Sequence, residues 1–340
     1  MSEIGRAGVV LPPQEQLELP DLVALAVEAE RLGFGTVLTG EVAAADAFAL
    51  LGAVAQATQR IRIGTGIIAI YTRSVALAAM GFASLDSLAP GRVIAGVGAS
   101  SPTVVECWHG RRHEAPLRSM RSFVGGLRTA LSGGRLELAE EPIVSRGFRL
   151  DFEARGPIPI MVAAMNPAML RLAGAIGDAV ELTWCPPSEV PGLVALVREG
   201  AERAGRGPEE VEILASFFAY AGDEAVEATE RLRRLVLQYA TVPTHRAAFG
   251  GALASLEAVD EAWQRGNRSR ALELVSDEAV HALCAVGGGD DVARRIDELH
   301  DAGVDVPILL PVGARPRDRD GVALTVGRAA AALASRTTAG

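Results

Sequence analysis

The chain contains no lysine: all 33 basic residues among its 340 are arginine. That removes a Schiff-base lysine, a lysine general base and a phosphate-loop lysine together. The bias reads more simply as the mark of a GC-rich genome than as a mechanism. Cysteine is nearly absent. Cys107, Cys185 and Cys284 lie far apart with no CxxC, so neither a disulfide framework nor a zinc site is expected, and a reducing cytoplasm fits. No uninterrupted apolar run approaches the ~20 residues of a membrane span, and no charged segment leads into an apolar one as in a signal peptide. A soluble cytoplasmic protein without a membrane partner is expected. Net charge is -9 with no basic block, which argues against nucleic acid as a partner. The histidines His109, His113, His245, His281 and His300 show no HxH or HExxH spacing, so no metal is expected. His281 and His300 fall on expected outer helices. His109 and His245 fall in loops, where lining a pocket is the minority reading. No nucleophile elbow, Ser-His-Asp order or paired-carboxylate motif stands out.

What the sequence does hold is alternation. Arg60 to Gly66 alternates isoleucine with polar or small residues and ends in Gly-Thr-Gly, as a strand running into a tight loop does. Val75 to Leu88 sets Val75, Ala78, Ala79, Phe82 and Leu85 on one helical face. Ala89-Pro90-Gly91 stops that helix, and Arg92 to Val97 is an apolar run of strand length. Two parallel strands joined by a helix take a right-handed crossover. Gly64/Gly66 and Gly96/Gly98 then lie at one end of the sheet, the end that carries the site in α/β proteins.

The same rhythm runs through the chain. Strands are expected at Ala7–Leu11, Phe34–Thr39, Ile158–Ala163, Ala179–Thr183, Val211–Tyr220 and Val306–Val312. Helices are expected at Asp21–Leu32, Asp46–Ala57, Leu117–Leu131, Pro167–Ile176, Ser188–Ala204, Glu224–Gln238, 272–284, 290–301 and Gly321–Leu333. Eight strand-helix units in order are the tally of a (β/α)8 TIM barrel, here a single domain over 1–340 with loop insertions. A doubly wound sheet is the weaker alternative, because no GxGxxG opens the first helix. Two excursions interrupt the pattern: 133–157, where Gly147 to Phe152 alternates like a hairpin, and 240–270, which reads as irregular.

Among candidate site residues, Ala163-Ala164-Met165-Asn166-Pro167-Ala168 is the sharpest. A strand ends, Asn166 is placed to cap, and Pro167 takes the first helical turn. The free amides beyond suit an anion; a well-capped helix with nothing bound fits equally well. Glu41 follows the second strand, where it is either a cofactor or acid/base residue or a solvated loop residue. Ser100-Ser101 after the fourth strand reads either as a hydrogen-bond donor pair or as an ordinary turn. Trp184, directly after the sixth strand, reads as a stacking platform for a flat cofactor or as packing.

With these motifs in place, the chain resembles the luciferase-like flavin/F420-dependent oxidoreductases, most closely the branch of the F420-dependent methylenetetrahydromethanopterin reductases. The resemblance is carried by IRIGTGI, YTRS, LDSLAPGR and AGVGA in the stretch from Arg60, by MLRLAGAIGDAVEL at Met169–Leu182 and by EGAERAGRGPEEVEI at Glu199–Ile213. It implies a barrel with F420, alternatively FMN, lying across the strand C-termini. It implies a non-proline cis peptide at Gly66–Ile67 that bends the ring, and a phosphate on the Ala164–Ala168 backbone. The implied cofactor set is Glu41, Thr65, Gly66, Ile67, Gly98, Ala99, Ser100, Ala163, Ala164, Met165, Asn166, Pro167 and Ala168, with Glu41 and Trp184 as catalytic candidates. Dimerisation through the second and third helices is implied, consistent with the small-residue face of Val75–Leu88.

The implied activity is hydride transfer between reduced deazaflavin and an electron-poor C=C or C=N bond of a small molecule. An FMN-dependent monooxygenase or oxidoreductase is the alternative. Two positions depart from the family. The acid-histidine pair after the second strand is Glu41-Val42 here, and Ser100-Ser101 stands where some members have Gly-Glu. The missing histidine motivates a third reading, a non-catalytic barrel acting as partner or carrier. The absent lysines disfavour sugar phosphates as substrates.

Overall fold

Eight parallel strands close into a ring in the computed structural model, which describes residues 4–152, 154–242, 249 and 256–337. In chain order the elements begin β1 (Gly8–Leu11), α1 (Leu19–Leu32), β2 (Thr36–Thr39), α2 (Ala47–Ala57), β3 (Arg62–Thr65), β4 (Ile68–Ala69), α3 (Val75–Leu88), β5 (Val93–Gly98) and α4 (Pro116–Leu131). There follow the hairpin β6 (Glu137–Glu140) and β7 (Ile143–Arg146), then β8 (Ile160–Ala163), α5 (Pro167–Ile176), β9 (Ala179–Thr183), α6 (Val190–Arg203), β10 (Glu212–Ala221) and α7 (Ala225–Ala240). The chain closes with α8 (Leu256–Gln264), α9 (Arg268–Glu273), α10 (Asp277–Leu283), β11 (Cys284–Gly287), α11 (Gly289–Asp301), β12 (Val306–Pro311) and α12 (Arg319–Thr337). The ring runs β1-β2-β3-β5-β8-β9-β10-β12 and returns to β1. This is a (β/α)8 barrel, and all eight expected strands take their places in it.

The strands are apolar on both faces because both are covered. Outward residues such as Val9, Val37, Ile63, Val180 and Ile213 pack under the helices in the main core. Inward residues, Val10, Leu38, Ile94, Met161, Leu214 and Ile308 among them, fill the barrel as a separate cluster, as period-2 alternation requires. At the N-terminal end of the barrel, Arg62 makes a bidentate pair with Glu212 at 3.0 and 3.0 Å and donates from Nε to Thr36 Oγ1 at 3.1 Å.

The helices start where their caps dictate. Asp46, Ser74 and Asn166 accept from the third amide of α2, α3 and α5 respectively, satisfying donors that a helix N-terminus leaves open. Small residues set how closely helices pack. A Cβ on Gly174 would run into the Val197 carbonyl, and one on Gly200 into the Arg171 carbonyl, so α5 and α6 touch backbone to backbone.

Three local expectations are corrected. The hairpin of the first excursion is Glu137–Glu140 with Ile143–Arg146, not Gly147 to Phe152. Glu141-Pro142 makes the turn with a cis bond, and Gly147 breaks out at φ +75°. The stretch 256–273 is not irregular but holds α8 and α9; Pro243 and Gly250-Gly251 lie outside the described residues. The helix expected at 272–284 is cut in two because Ser276 caps a new one, α10, by accepting from Ala279. Its last residue, Cys284, opens β11, a short parallel strand on the second half of β10.

Candidate active site

The C-terminal ends of the strands form a mouth whose floor is made of small residues. β3 and β5 approach closely there. A Cβ on Gly96 would overlap the Thr65 carbonyl, and one on Gly98 would sit 2.7 Å from Ile67 Cδ1. Only glycine permits that approach. Thr65 is fully buried and donates from Oγ1 to the Gly96 carbonyl at 2.6 Å. The loop past β3 is fastened to β2 by Gly66 N–H to Thr39 O at 2.8 Å and Glu41 N–H to Ile67 O at 3.1 Å. Between those two bonds the Gly66–Ile67 peptide is cis.

Glu41 stands on the rim with its carboxylate committed. Arg73, from the YTRS stretch, donates from Nε to Oε2 at 2.8 Å and from Nη2 to Oε1 at 2.6 Å, and it also pairs with Asp46. The hydrogen bond to Glu41 lifts Arg73 further above its usual range. Across the mouth, Ala164 is buried and donates to the Glu181 carbonyl at 3.1 Å, while Asn166 Oδ1 accepts from Met169 at 3.0 Å. Pro167 has no amide to offer, and Ala168, second in the helix, has no intrahelical acceptor. The Met165 and Asn166 amides likewise find no acceptor among the described residues. Asn166, Pro167 and Ala168 are exposed, so this donor set faces solvent at the positive end of α5.

The luciferase-like monooxygenase family is matched over residues 6–306. The chain belongs to that family. It is 28% identical over 291 residues to the 5,10-methylenetetrahydromethanopterin reductase of Methanolobus tindarius, covering 81% of this chain and 85% of that one. It is 29% identical over 346 residues to a Mycobacterium tuberculosis protein provisionally named a coenzyme F420-dependent oxidoreductase, covering 92% and 95%. The structure of the F420-dependent tetrahydromethanopterin reductase of Methanopyrus kandleri superposes with a TM-score of 0.75 at 23% identity, covering 95% and 97%.

As a luciferase-like barrel the chain brings Glu41, Thr65, Gly66, Ile67, Gly98, Ala163 and the Ala164–Ala168 loop to one end. Ala99 and Ser100 continue from β5 at that end, with Ser100 in the left-handed region at φ +60°, and Val42 is half exposed on the rim. Trp184 is placed differently from a platform. It is 3% exposed and packs with Phe218, Tyr239 and Phe249 at centroid distances of 4.5, 4.7 and 5.7 Å. Of the loop histidines, His109 is exposed, and His245 lies outside the described residues. Burial pushes the Cys185 and Cys284 thiols up to about 12, which leaves them unreactive at neutral pH.

Sequence reasoning missed Glu181. It is the third residue of β9, 7% exposed, and points into the barrel, where Ser216 Oγ donates to Oε1 at 2.6 Å. A Cβ on Gly66 would lie 3.5 Å from that same oxygen, so the carboxyl sits beside the Gly66–Ile67 step. Burial lifts its pKa from 4.5 to about 7, and the Ser216 hydrogen bond only partly offsets this. The available signal was a lone carboxylate inside an apolar strand, Ala-Val-Glu-Leu-Thr.

Proposed function

We propose that this chain is an F420-dependent oxidoreductase, transferring hydride between reduced deazaflavin and an electron-poor C=C or C=N bond of a small molecule. One observation carries the reading: unsatisfied amides at the start of α5 lie at the same barrel mouth as the glycine-lined step at Gly66–Ile67. That pairs an anion site with a flat apolar floor, as a phosphate-bearing ring system needs. The named relatives support F420 as the ring.

In this reading the Met165, Asn166 and Ala168 amides hold the phosphate. Ile67 backs the ring, and Gly98, Ala99 and Ser100 form the neighbouring wall. When bound, the deazaflavin would supply the hydride; the protein supplies orientation and exclusion of water. Glu41 fixes Arg73 and the rim, because both of its oxygens are already engaged. Trp184 packs past the end of β9 against Phe218 of β10 within its aromatic cluster. A homodimer is part of the proposal, since Leu77, Met80 and Leu88 on α3 are each more than 40% exposed.

Titration with F420 and with FMN, read by fluorescence quenching, tests the reading. Micromolar F420 binding without FMN binding is expected. FMN binding alone would move the chain to the flavin-dependent side of the family, and binding of neither would sink both.

A further inference from the structure

Among the described residues, Glu181 has no charged company. From β8 it is faced by Ala163, from β10 by Leu214 and Ser216, and beside it lie Leu38 of β2 and Gly66 just past β3. The inward cluster contributed by β1, β5 and β12 is hydrocarbon. Ion pairs on these elements lie elsewhere. Arg62 and Glu212 satisfy each other at the far end of the barrel, and Glu41 and Arg73 do so on the rim beyond β2. Among the described residues, the Ser216 hydroxyl is the one group that hydrogen-bonds its carboxyl. An uncompensated carboxylate in such surroundings is costly, whereas the neutral acid is not.

We propose that Glu181 is a binding residue of the cofactor site, presenting a carboxylic O–H to a carbonyl on the edge of the ring held over Gly66–Ile67. The proposal rests on the cofactor reading above. It holds for a deazaflavin or a flavin alike, since both rings carry edge carbonyls. The acid donates to the ring and accepts from Ser216. The ionised form has no proton to donate and sets an unpaired charge against the ring carbonyl. Ring binding is thereby coupled to one proton on Glu181, whose titration near 7 falls where the coupling is measurable.

The test is the pH dependence of F420 and FMN affinity, by fluorescence quenching, for the whole wild-type chain and for Glu181→Gln. Wild-type affinity is expected to fall, approaching tenfold per unit, above about pH 7. Glu181→Gln keeps a neutral donor of the same shape and is expected to lose that slope. Ionisation of the ring itself acts on both proteins equally. Ser216→Ala removes the hydroxyl that steadies the anion, and is expected to move the fall to higher pH. Infrared spectroscopy of the unliganded protein is expected to show a protonated-carboxyl band that titrates near 7 and is absent from Glu181→Gln. Parallel slopes in the two proteins, or no such band, would overturn the proposal. Failure of both cofactors to bind either protein would instead overturn the cofactor reading on which it stands.

Discussion

Glu212 and Glu181 point into the same barrel from neighbouring strands, and they are kept in opposite ways. Glu212 lies at the N-terminal end, about a third exposed, with Arg62 closed on it through two hydrogen bonds. Glu181 lies one inward-facing position higher, level with Leu214, and is nearly dry, with a serine hydroxyl in place of a cation. The first arrangement seals an end. The second keeps an ionisable group near its switching point beside the Gly66–Ile67 step. Both burial and the presence of a matched cation separate them.

The largest expected effect bears directly on that contrast. The folded-state pKa of Glu181 is raised from 4.5 to about 7, so its contribution to stability is complete below about pH 4.5 and is lost as pH rises through about 7. The loss amounts to about 3 kcal/mol. Urea unfolding of wild type and Glu181→Gln across that window should show the difference between them narrowing or reversing by this amount. A constant difference would break the comparison.

Next comes Gly96→Ala, which drives a methyl group into the Thr65 carbonyl on the mouth side. It is expected to cost about 2 kcal/mol, read by denaturant midpoint, and to weaken ring binding by displacing the Gly66–Ile67 step. Asn166→Ala removes the α5 cap and should cost about 1 kcal/mol, with a larger relative loss in affinity for phosphate-bearing ligands than for the bare ring. The smallest effect is expected at the sealed end. Arg62→Ala leaves a half-wet Glu212, and solvent screening holds the loss to about 1 kcal/mol or less, reduced further by salt. A loss larger than that of Gly96→Ala would show that the Arg62–Glu212 pair does more than close the barrel.

Much of the fold was legible because parallel strands under helices are short apolar runs between turn residues, and this chain punctuates them clearly. Gly33 ends α1 at φ +100° and Asn166-Pro167 begins α5; both can be read from residue type alone. The stretch at 256–287 was less legible. Its helices are six to nine residues long and separated by short links that end in caps such as Ser276, too short for periodicity to register.

The site divides in the same way. Its glycines and the Asn166-capped start of α5 are local features, and they were visible. The Glu41–Arg73 pair joins residues 32 apart in sequence, and the Glu181–Ser216 bond joins residues 35 apart; each exists only once neighbouring strands have paired. Glu181 was hidden for a further reason. A strand that is apolar on both faces gives no indication of which face looks inward until its neighbours are known.

β10 is ten residues long, and its two halves belong to different neighbourhoods. The first half pairs with β9 within the ring, and the second half carries β11. The aromatic cluster of Trp184 and Phe218 and the helices α7 to α10 are packed around that projecting half as a core of their own. That second core is thus cantilevered from a barrel stave. Changes among α8, α9 and α10 fall on that second core, whereas the glycine floor and the Ala164–Ala168 backbone belong to the barrel. The part of the molecule free to vary and the part held fixed are set end to end along a single strand.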